Sequence, residues 1–290
     1  MTRNCFICGG DKFSHNLDYM ICRNCGHQIL VDKNAQGYII NDILCKDDVL
    51  NINLLDRFKN KIIFQQISPK TNNLLDLGSA SGRLLYQNKD KFETVTGLEV
   101  TNESIDFSRN ILQLEIISEA RDIKNAPDLI TAFHTLEHIP ASNLKQLILD
   151  ISQRSNGNEK FIISVPNANS ILVKILGRKF AFYDVPNHLH QFSELSLDRL
   201  MKKYGYSQQK KIFSFIYEIF CILQTVLNVM NSDHNYLYYS LKRRQRDRNW
   251  LKVLFELCKL IFVVPFSILL LLAISLFKEK NSVITKVYQR

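Results

Sequence analysis

The sequence predicts an α/β fold with a doubly wound, mostly parallel sheet, and three features near residue 80 predict it. The segment Leu74–Leu85, LLDLGSASGRLL, begins with an apolar run typical of a strand that is buried on both faces. Gly78 and Gly82 then bound a turn into a helix, and glycine lets the backbone approach a ligand without interference from a Cβ atom. Glu99 ends the next apolar run, about where doubly wound nucleotide sites place the acid that binds a ribose diol.

The elements of this fold follow in order along the chain. Apolar residues at near-helical spacing predict a lid helix over Asp47–Ser68, which Pro69 ends. Strands then alternate with helices, which indicates a parallel sheet. The predicted strands are Asn73–Leu77, Thr94–Glu99, Glu115–Ser118, Asp128–Phe133, Phe161–Val165, Ser207–Phe213 and Ser282–Tyr288. The predicted helices are Gly82–Lys89, Glu103–Leu112, Ala141–Arg154 and Ser193–Tyr204, the last with Leu195, Leu197, Leu200 and Met201 facing inward.

The charge of the first turn limits the ligand that it accepts. The order from Asp76 is D-L-G-S-A-S-G, which differs from the G-x-G-x-x-G pattern of dinucleotide-binding turns. At the strand end, the carboxylate of Asp76 would repel a pyrophosphate and attract an ammonium group. The turn therefore favours a positively charged adenosine ligand without phosphate. The alternative is an α/β core in which the glycines serve only tight turns.

From this turn onward, four segments resemble class I S-adenosylmethionine-dependent methyltransferases, in the subfamily that includes the ubiquinone-biosynthesis O-methyltransferases. After the turn, the matching segments are DLITAFHTLEHI (Asp128–Ile139), FIISVPNANS (Phe161–Ser170) and NHLHQFSELSLDRLMKKYGY (Asn187–Tyr206). The resemblance implies S-adenosylmethionine as cofactor and a Rossmann-like sheet of seven strands, the last of them antiparallel. The Asn-Pro-Pro-Tyr and Asp-Pro-Pro-Tyr signatures of base methylation do not follow the fourth strand, where FHTLEH stands instead.

The same resemblance implies a set of cofactor-binding residues. The methionine part would be bordered by Asp76, Gly78, Ser79, Ala80 and Gly82, where Ala80 departs from the glycine of many members. Glu99 would bind the ribose hydroxyls, and Asp122 with Ile123 would lie beside the adenine. The loop that starts at Phe133 and His134 would border both cofactor and acceptor.

Four cysteines near the N-terminus form two C-x-x-C pairs, namely Cys5, Cys8, Cys22 and Cys25. Four thiolates from two short loops supply the tetrahedral ligands of a structural Zn²⁺ ion, so residues 1–36 are predicted to be a zinc ribbon. A unit this small needs the metal in order to fold. The alternative is two disulfides, which the otherwise cytosolic character of the chain disfavours.

A hydrophobic insertion, residues 214–281, interrupts the predicted methyltransferase domain of residues 47–213 and 282–290. It contains the apolar stretches Ile212–Met230 and Leu260–Phe277 on either side of a polar linker with KRRQRDR at Lys242–Arg248. Residues 212–290 carry eleven Lys or Arg against five Asp or Glu, so most of the net charge of +9 is here. The second stretch just reaches the length of a membrane-spanning helix, and a buried core helix is the alternative.

The topology narrows how this insertion meets a membrane. Strands six and seven of one sheet require the chain to enter and leave the membrane on the same side. Two crossings would export the basic linker, contrary to the positive-inside tendency. We therefore predict a hairpin lying in one leaflet at the cytoplasmic face, with Trp250, Tyr236, Tyr238 and Tyr239 at the interface and basic residues on the headgroups.

Histidines at the carboxyl edge of the sheet are the candidates for catalysis. His138 follows the fourth strand, while His188 and His190 precede the last core helix, and a histidine suits removal of a proton from a hydroxyl. In the H-x-x-E-H segment, His134, Glu137 and His138 offer three metal ligands, but we favour a loop held in place by hydrogen bonds.

These features together predict a methyltransferase at the cytoplasmic face of a membrane. Its acceptor is expected to be a hydroxyl on a lipid-linked or cell-surface glycan precursor. Two alternatives stay open, namely an RNA or protein methyltransferase and a non-catalytic scaffold that keeps the fold. Nucleic acid is disfavoured as a partner because the basic residues flank apolar segments and lack a separate aromatic surface.

Overall fold

The computed structural model describes residues 4–31, 44–231, 233–242, 250–275 and 281–290. The strands of the described chain are β1 (Phe13–Asn16), β2 (Tyr19–Cys22), β3 (Gln28–Leu30), β4 (Asn73–Leu77), β5 (Thr94–Leu98), β6 (Glu115–Ile117), β7 (Leu129–Phe133), β8 (Lys160–Pro166), β9 (His190–Gln191), β10 (Ser207–Ile212) and β11 (Val283–Gln289). The helices are α1 (Lys46–Leu50), α2 (Leu54–Phe64), α3 (Arg83–Asn88), α4 (Asn102–Asn110), α5 (Ala141–Arg154), α6 (Ile171–Leu176), α7 (Glu194–Lys203), α8 (Phe215–Met230), α9 (Tyr236–Lys242) and α10 (Trp250–Ser275).

A seven-stranded sheet forms the centre of the molecule, in the order β10-β11-β8-β7-β4-β5-β6. The strands β8, β7, β4, β5 and β6 pair in parallel, whereas β11 runs antiparallel to both of its neighbours. The predicted doubly wound fold with an antiparallel last strand is therefore confirmed. In β4, Leu74, Leu75 and Leu77 are almost completely buried because helices cover both faces of the sheet.

The predicted lid helix over Asp47–Ser68 is wrong in one respect, since two helices, α1 and α2, occupy this range. The side chain of Asn53 accepts a hydrogen bond from the backbone N–H of Asp56, and Asp56 accepts one from Asn53. This capping box starts a new helix at a point where apolar spacing alone suggests continuity. An ion pair of 3.0 Å between Asp56 and Arg83 then ties α2 to α3.

Helix α7 begins as predicted, because Ser193 caps it by accepting from the backbone N–H of Ser196. Leu197, Leu200 and Met201 are fully buried, but Leu195 is 49% exposed, so its predicted inward position is wrong. Leu195 lies in the first turn of the helix. Its neighbours Ser196 and Leu197 are fully buried, so Leu195 lies on the outward side of this turn, and the apolar period overestimates its burial.

The hydrophobic insertion consists of α8, α9 and α10. Its first helix and the strand that follows its last helix are in contact, so the two ends of the insertion lie side by side at the sheet. Glu218, near the start of α8, accepts a hydrogen bond from the backbone N–H of Val283, the first residue of β11, at 3.1 Å. Helix α10 is long and apolar enough, by length and composition alone, to cross a membrane over Trp250–Ala273, and 22% of its most apolar part is buried. Most of the basic KRRQRDR segment and the end of the stretch Leu260–Phe277 lie outside the described residues.

The N-terminal ribbon is a second, four-stranded sheet of order β1-β2-β3-β9. Its fourth strand, β9, comes from the segment before α7, with Ile29 opposite His190 and Gln28 opposite Gln191. The sequence predicts residues 1–36 as a separate ribbon, whose predicted end lies outside the described residues. The ribbon and the methyltransferase domain thus share a sheet.

Candidate functional site

The turn after β4 has the backbone shape that its glycines suggest. Gly78 and Gly82 have φ values of +66° and +70°, in the left-handed region that glycine adopts freely. A Cβ atom on Gly78 would stand 2.6 Å from Cγ2 of Thr135, so the turn also packs too closely for a side chain there. Ala80 has a φ of +48°, which explains why glycine would suit this position.

Two buried carboxylates flank this turn. Asp76 is 5% exposed at the end of β4 and accepts a hydrogen bond of 2.6 Å from Oγ1 of Thr131. Burial raises the pKa of Asp76 to about 6, and the nearby charge of Glu99 adds to the rise. Glu99 follows β5 and accepts from the backbone N–H groups of Ala80, Val100 and Thr101 at 2.8–2.9 Å. These bonds orient the Glu99 carboxylate beside the turn and leave lone pairs for ligand hydroxyls.

The two residues expected beside an adenine follow β6. Asp122 is exposed at the end of a short 3-10 turn, Ala120–Asp122, and Ile123 is buried directly after it. Asp122 lines an open cavity with Ile117 and Ser118 at the carboxyl end of the same strand. Strand β6 pairs in parallel with β5, which Glu99 follows, so the predicted adenine and ribose residues come after neighbouring strands at one sheet edge.

The loop after β7 places His134 over the same edge. His134 has a φ of +56°, and its Nδ1 lies 3.3 Å from Oε1 of Glu137. Its ring stacks on Phe182 with centroids 5.2 Å apart and contacts Tyr217 at 4.9 Å. Phe133, the preceding residue, is half-buried at the end of β7.

Glu137 is fully buried among three histidines. Burial opposes its ionisation, but His134, His138 and His188 outweigh burial and lower the pKa of Glu137 to about 2. Glu137 is therefore an anion at neutral pH. The ligand atoms of Glu137, His138 and His188 all lie within 4.8 Å of one another, a spacing that a divalent cation can bridge.

The histidine candidates differ in the atoms that they leave for chemistry. Nδ1 of His188 donates to the carbonyl of Phe182 at 2.9 Å, so the neutral ring keeps its lone pair on Nε2. His138 makes the same kind of bond to the carbonyl of Asn187 at 3.0 Å, and the two rings lie 4.7 Å apart. Burial, and then the charge of His138, lower the pKa of His188 to about 4.

His190 has a different role. Its Nε2 donates to the carbonyl of Ile139 at 3.0 Å, and its Nδ1 lies 3.2 Å from Nε2 of His27. Burial lowers the pKa of His190 to about 4, so the ring is neutral and both of its nitrogens are used within the protein. This geometry leaves His190 no nitrogen for a substrate hydroxyl, and we keep His188 as the candidate base.

The sequence patterns missed Tyr217, which lies beside this site. Tyr217 is 4% exposed in the first turn of α8, and its ring also contacts Phe58 of α2 at 5.7 Å. The hydroxyl of Tyr217, Nε2 of His134 and Oγ of Ser79 are buried without a hydrogen-bond partner among the described residues. Buried polar atoms of this kind are normally satisfied, and the rings of His134 and Tyr217 are neighbours, so these two side chains point to a ligand beside them. Tyr217 was missed because it lies in the apolar stretch Ile212–Met230, which was interpreted as membrane-associated.

The four N-terminal cysteines fit a metal. The Sγ atoms of Cys5 and Cys25 are 3.7 Å apart, those of Cys8 and Cys22 are 3.6 Å apart, and all four lie within 4.8 Å of one another. A tetrahedral zinc site with Zn–S bonds of about 2.3 Å requires sulfur separations of about 3.8 Å. None of these cysteines is in a disulfide. The donor set and its spacing are those of a closed structural zinc site.

Comparisons with known proteins agree with this architecture. A family model described as a methyltransferase domain matches residues 51–210, more than half of the chain. The ubiquinone biosynthesis O-methyltransferase of Coxiella burnetii (strain RSA 493 / Nine Mile phase I) is 28% identical over 154 residues, covering 49% of this chain and 65% of that protein. The chain thus spans just under two thirds of the length of this relative.

Solved structures share the fold at low sequence identity. The cyclopropane synthase MmaA2 from Mycobacterium tuberculosis is 8% identical with a TM-score of 0.52, covering 81% of this chain and 84% of that one. The [4+2]-cyclase SpnF is 11% identical with a TM-score of 0.52, covering 89% and 87%. The chain therefore belongs to the methyltransferase domain family and has the class I methyltransferase fold.

Proposed function

We propose that this protein transfers a methyl group from S-adenosylmethionine to a hydroxyl of an acceptor. The pair of buried carboxylates beside a left-handed turn carries this proposal. Asp76 and Glu99 make the pocket negative at the ends of adjacent strands, which suits an ammonium group and a ribose diol and disfavours a pyrophosphate.

When bound, S-adenosylmethionine supplies an electrophilic methyl group for in-line displacement, so the protein has to align and deprotonate the acceptor. His188 is suited to take the proton, because its Nδ1–H is fixed on the carbonyl of Phe182 and its Nε2 keeps a lone pair. Its lowered pKa keeps the ring neutral at neutral pH. The anionic Glu137 beside it stabilises the imidazolium that forms.

We also propose that the enzyme works at the cytoplasmic face of a membrane, on a lipid-linked or cell-surface glycan precursor. Helix α10 packs on the molecule through Val253, Val263 and Leu271. Its opposite side carries large apolar residues that are each more than half exposed, namely Trp250, Leu251, Leu254, Phe255, Ile261, Phe262, Phe266, Leu269 and Leu272. An exposed apolar surface of this length fits the hydrocarbon boundary of a lipid leaflet.

The insertion links this surface to the site. Tyr217 belongs to the first turn of α8, so the helix that starts the hairpin also forms a wall beside His134. Both ends of the insertion meet at Glu218 and Val283, which supports a hairpin that enters and leaves the membrane on one side. An acceptor with a lipid tail would reach the site along α8.

Methyl label from radioactive S-adenosylmethionine tests the activity. The purified protein is incubated with cell membranes, and the label is followed into the organic-extractable, RNA and protein fractions. Label in the organic extract is the expected result. Label in RNA or protein would replace the lipid-linked acceptor with a macromolecule, and cofactor binding without any transfer would indicate a scaffold.

Vesicle flotation tests the membrane surface separately. Replacing Phe262 and Leu269 by Glu should reduce binding to anionic vesicles at least about a hundredfold, since two exposed apolar side chains that would enter the lipid are lost. Leu195→Glu is the matched control, because Leu195 is also exposed but lies on α7. A wild-type protein that stays unbound would contradict the proposal, and dimerisation through α10 without flotation would assign this face to a second copy.

A further inference from the structure

The zinc ribbon contacts the acceptor side of the site through its sheet. Strand β3 pairs with β9, and the backbone N–H of Leu30 donates to the carbonyl of Leu189 at 3.0 Å. The residues of β9 and its neighbours, His188 to Phe192, are all buried. The ribbon therefore supplies the sheet edge against which this segment is held.

Three buried side chains strengthen this attachment. The hydroxyl of Tyr19 donates to the carbonyl of His188 at 2.9 Å, so a ribbon residue holds the backbone of the candidate base. Oγ of Ser193 donates to the carbonyl of the metal-ligand candidate Cys25 at 2.6 Å. His27, which follows the second cysteine pair, contacts His190. All three side chains are buried to at least 99%.

The same segment continues the hydrogen bonds into the loop after β7. The backbone N–H of Leu189 donates to the carbonyl of Glu137 at 2.8 Å, and His190 donates to the carbonyl of Ile139. Two successive hydrogen bonds through Leu189 thus connect the ribbon with Glu137, and the hydrogen bond of Tyr19 connects it directly with His188. The cofactor turn has its own supports, because Gly78 donates to the carbonyl of Leu98 and Ala80 donates to Glu99.

We propose that the ribbon is a positioning module for methyl transfer: when it holds its metal, it keeps Glu137 and His188 in place for the acceptor. This inference rests on the proposed function of the site. A four-cysteine unit of this size depends on its metal for folding, so metal loss removes the edge on which β9 is paired. Methyl transfer is then lost, while the affinity for the cofactor product S-adenosylhomocysteine is kept.

Hydrogen exchange of the full-length protein, before and after chelation, tests this coupling without an acceptor. Bound zinc is measured by elemental analysis. Chelation should speed exchange of the amides of residues 187–192 and 136–139 by at least about tenfold, and leave those of residues 76–80 and 98–101 unchanged. Unchanged protection of residues 187–192 after zinc loss would overturn the proposal. If chelation removes both the protection of residues 187–192 and the binding of S-adenosylhomocysteine, the proposal is also overturned, since the whole domain would then depend on the ribbon.

A variant that keeps all four cysteines separates positioning from folding. Tyr19→Phe removes the hydrogen bond to the His188 carbonyl, and Tyr204→Phe, at the end of α7, is the matched control. Tyr19→Phe should keep its zinc and its S-adenosylhomocysteine affinity, speed exchange around Leu189, and lower kcat about tenfold with an unchanged KM for S-adenosylmethionine. Exchange and kcat equal to those of Tyr204→Phe would contradict the inference. A wild-type protein without methyl transfer would contradict the proposed function instead, and the exchange result would still stand.

Discussion

The cofactor half and the acceptor half of the site are built in different ways. The cofactor half consists of the turn after β4 and the end of β5, which are close in the chain and paired in parallel at adjacent strands. The acceptor half combines residues from the ribbon, the loop after β7, the segment before α7 and the start of α8. The first is a local device of the fold, whereas the second exists only after distant segments have packed.

The two halves also differ in their chemistry. The cofactor half carries carboxylates, Asp76 and Glu99, on a backbone that is strained at Ala80. The acceptor half carries buried histidines and aromatic rings around one anion, Glu137. A change in one half should therefore leave the measured property of the other half intact, and each prediction below uses that separation.

The largest expected effect is on the acceptor half. His188→Gln removes the candidate base and should lower kcat about a thousandfold, the usual range for loss of a general base. The affinity for S-adenosylhomocysteine, measured by calorimetry, should not change, because His188 contacts Phe182 and His138 instead of the cofactor turn. His15→Gln, at an exposed position on β1, is the control. Equal kcat values for the two variants would remove base catalysis by His188.

Gly78→Ala attacks the cofactor half. The new Cβ would stand 2.6 Å from Thr135 and the residue would keep a φ of +66°, so we expect a loss of about 3 kcal/mol in the free energy of unfolding and no cofactor binding. Gly157→Ala is matched, since Gly157 has a φ of +82° but no atom within 4 Å of the added Cβ. Urea denaturation should show only about 1 kcal/mol for this control. Equal losses in both variants would show that packing at the turn is unimportant.

The difference between the two halves also explains which features could be predicted from the sequence. The seven strands were predicted within one or two residues because most of them are apolar runs between turns, although β10 is polar and largely exposed. The predicted cofactor residues lie at or after the ends of the apolar strands. The turn pattern also placed Asp76 and Glu99 correctly at adjacent strand ends. Local patterns identify these features because each strand and the turn after it are specified by one short segment of the chain.

The acceptor half could not be predicted from such patterns. The pairing of β3 with β9 joins residues more than 160 positions apart, and the two-residue strand β9 has no period to detect. Tyr217 stands in an apolar stretch that indicated only membrane association. His188 and His190 look alike in sequence, and only the hydrogen bonds of His190 to His27 and Ile139 show that it is structural.

The charge of the cofactor half gives a pH prediction. Burial raises the pKa of Asp76 to about 6 in the free protein, and a bound ammonium group would lower it again. The affinity for S-adenosylhomocysteine, which keeps this ammonium group, should therefore be constant above about pH 6 and fall as the pH drops below it. Asp76→Asn should bind about thirtyfold more weakly at pH 8, from about 2 kcal/mol of charge-assisted hydrogen bonding. Calorimetry across pH that shows the same decline in this variant would assign the titration to another group.

The smallest expected effect is that of Ala80→Gly, a substitution that should relieve the backbone strain of the cofactor turn. Ala80 adopts a φ of +48°, which costs an L-residue about 1–2 kcal/mol, while glycine pays about 1 kcal/mol more in unfolded-chain entropy. Its contacts with Glu99 and Ser108 use backbone atoms only, so glycine keeps them. Ala80→Gly should therefore raise the free energy of unfolding by about 0.5 kcal/mol, measured in urea. Ala132→Gly, at the fourth residue of β7, should lower it by more than about 1 kcal/mol, because a strand residue only loses from the same exchange and the buried methyl group is removed as well. If Ala80→Gly loses as much stability as Ala132→Gly, the left-handed turn does not strain Ala80, and alanine stabilises this position relative to glycine.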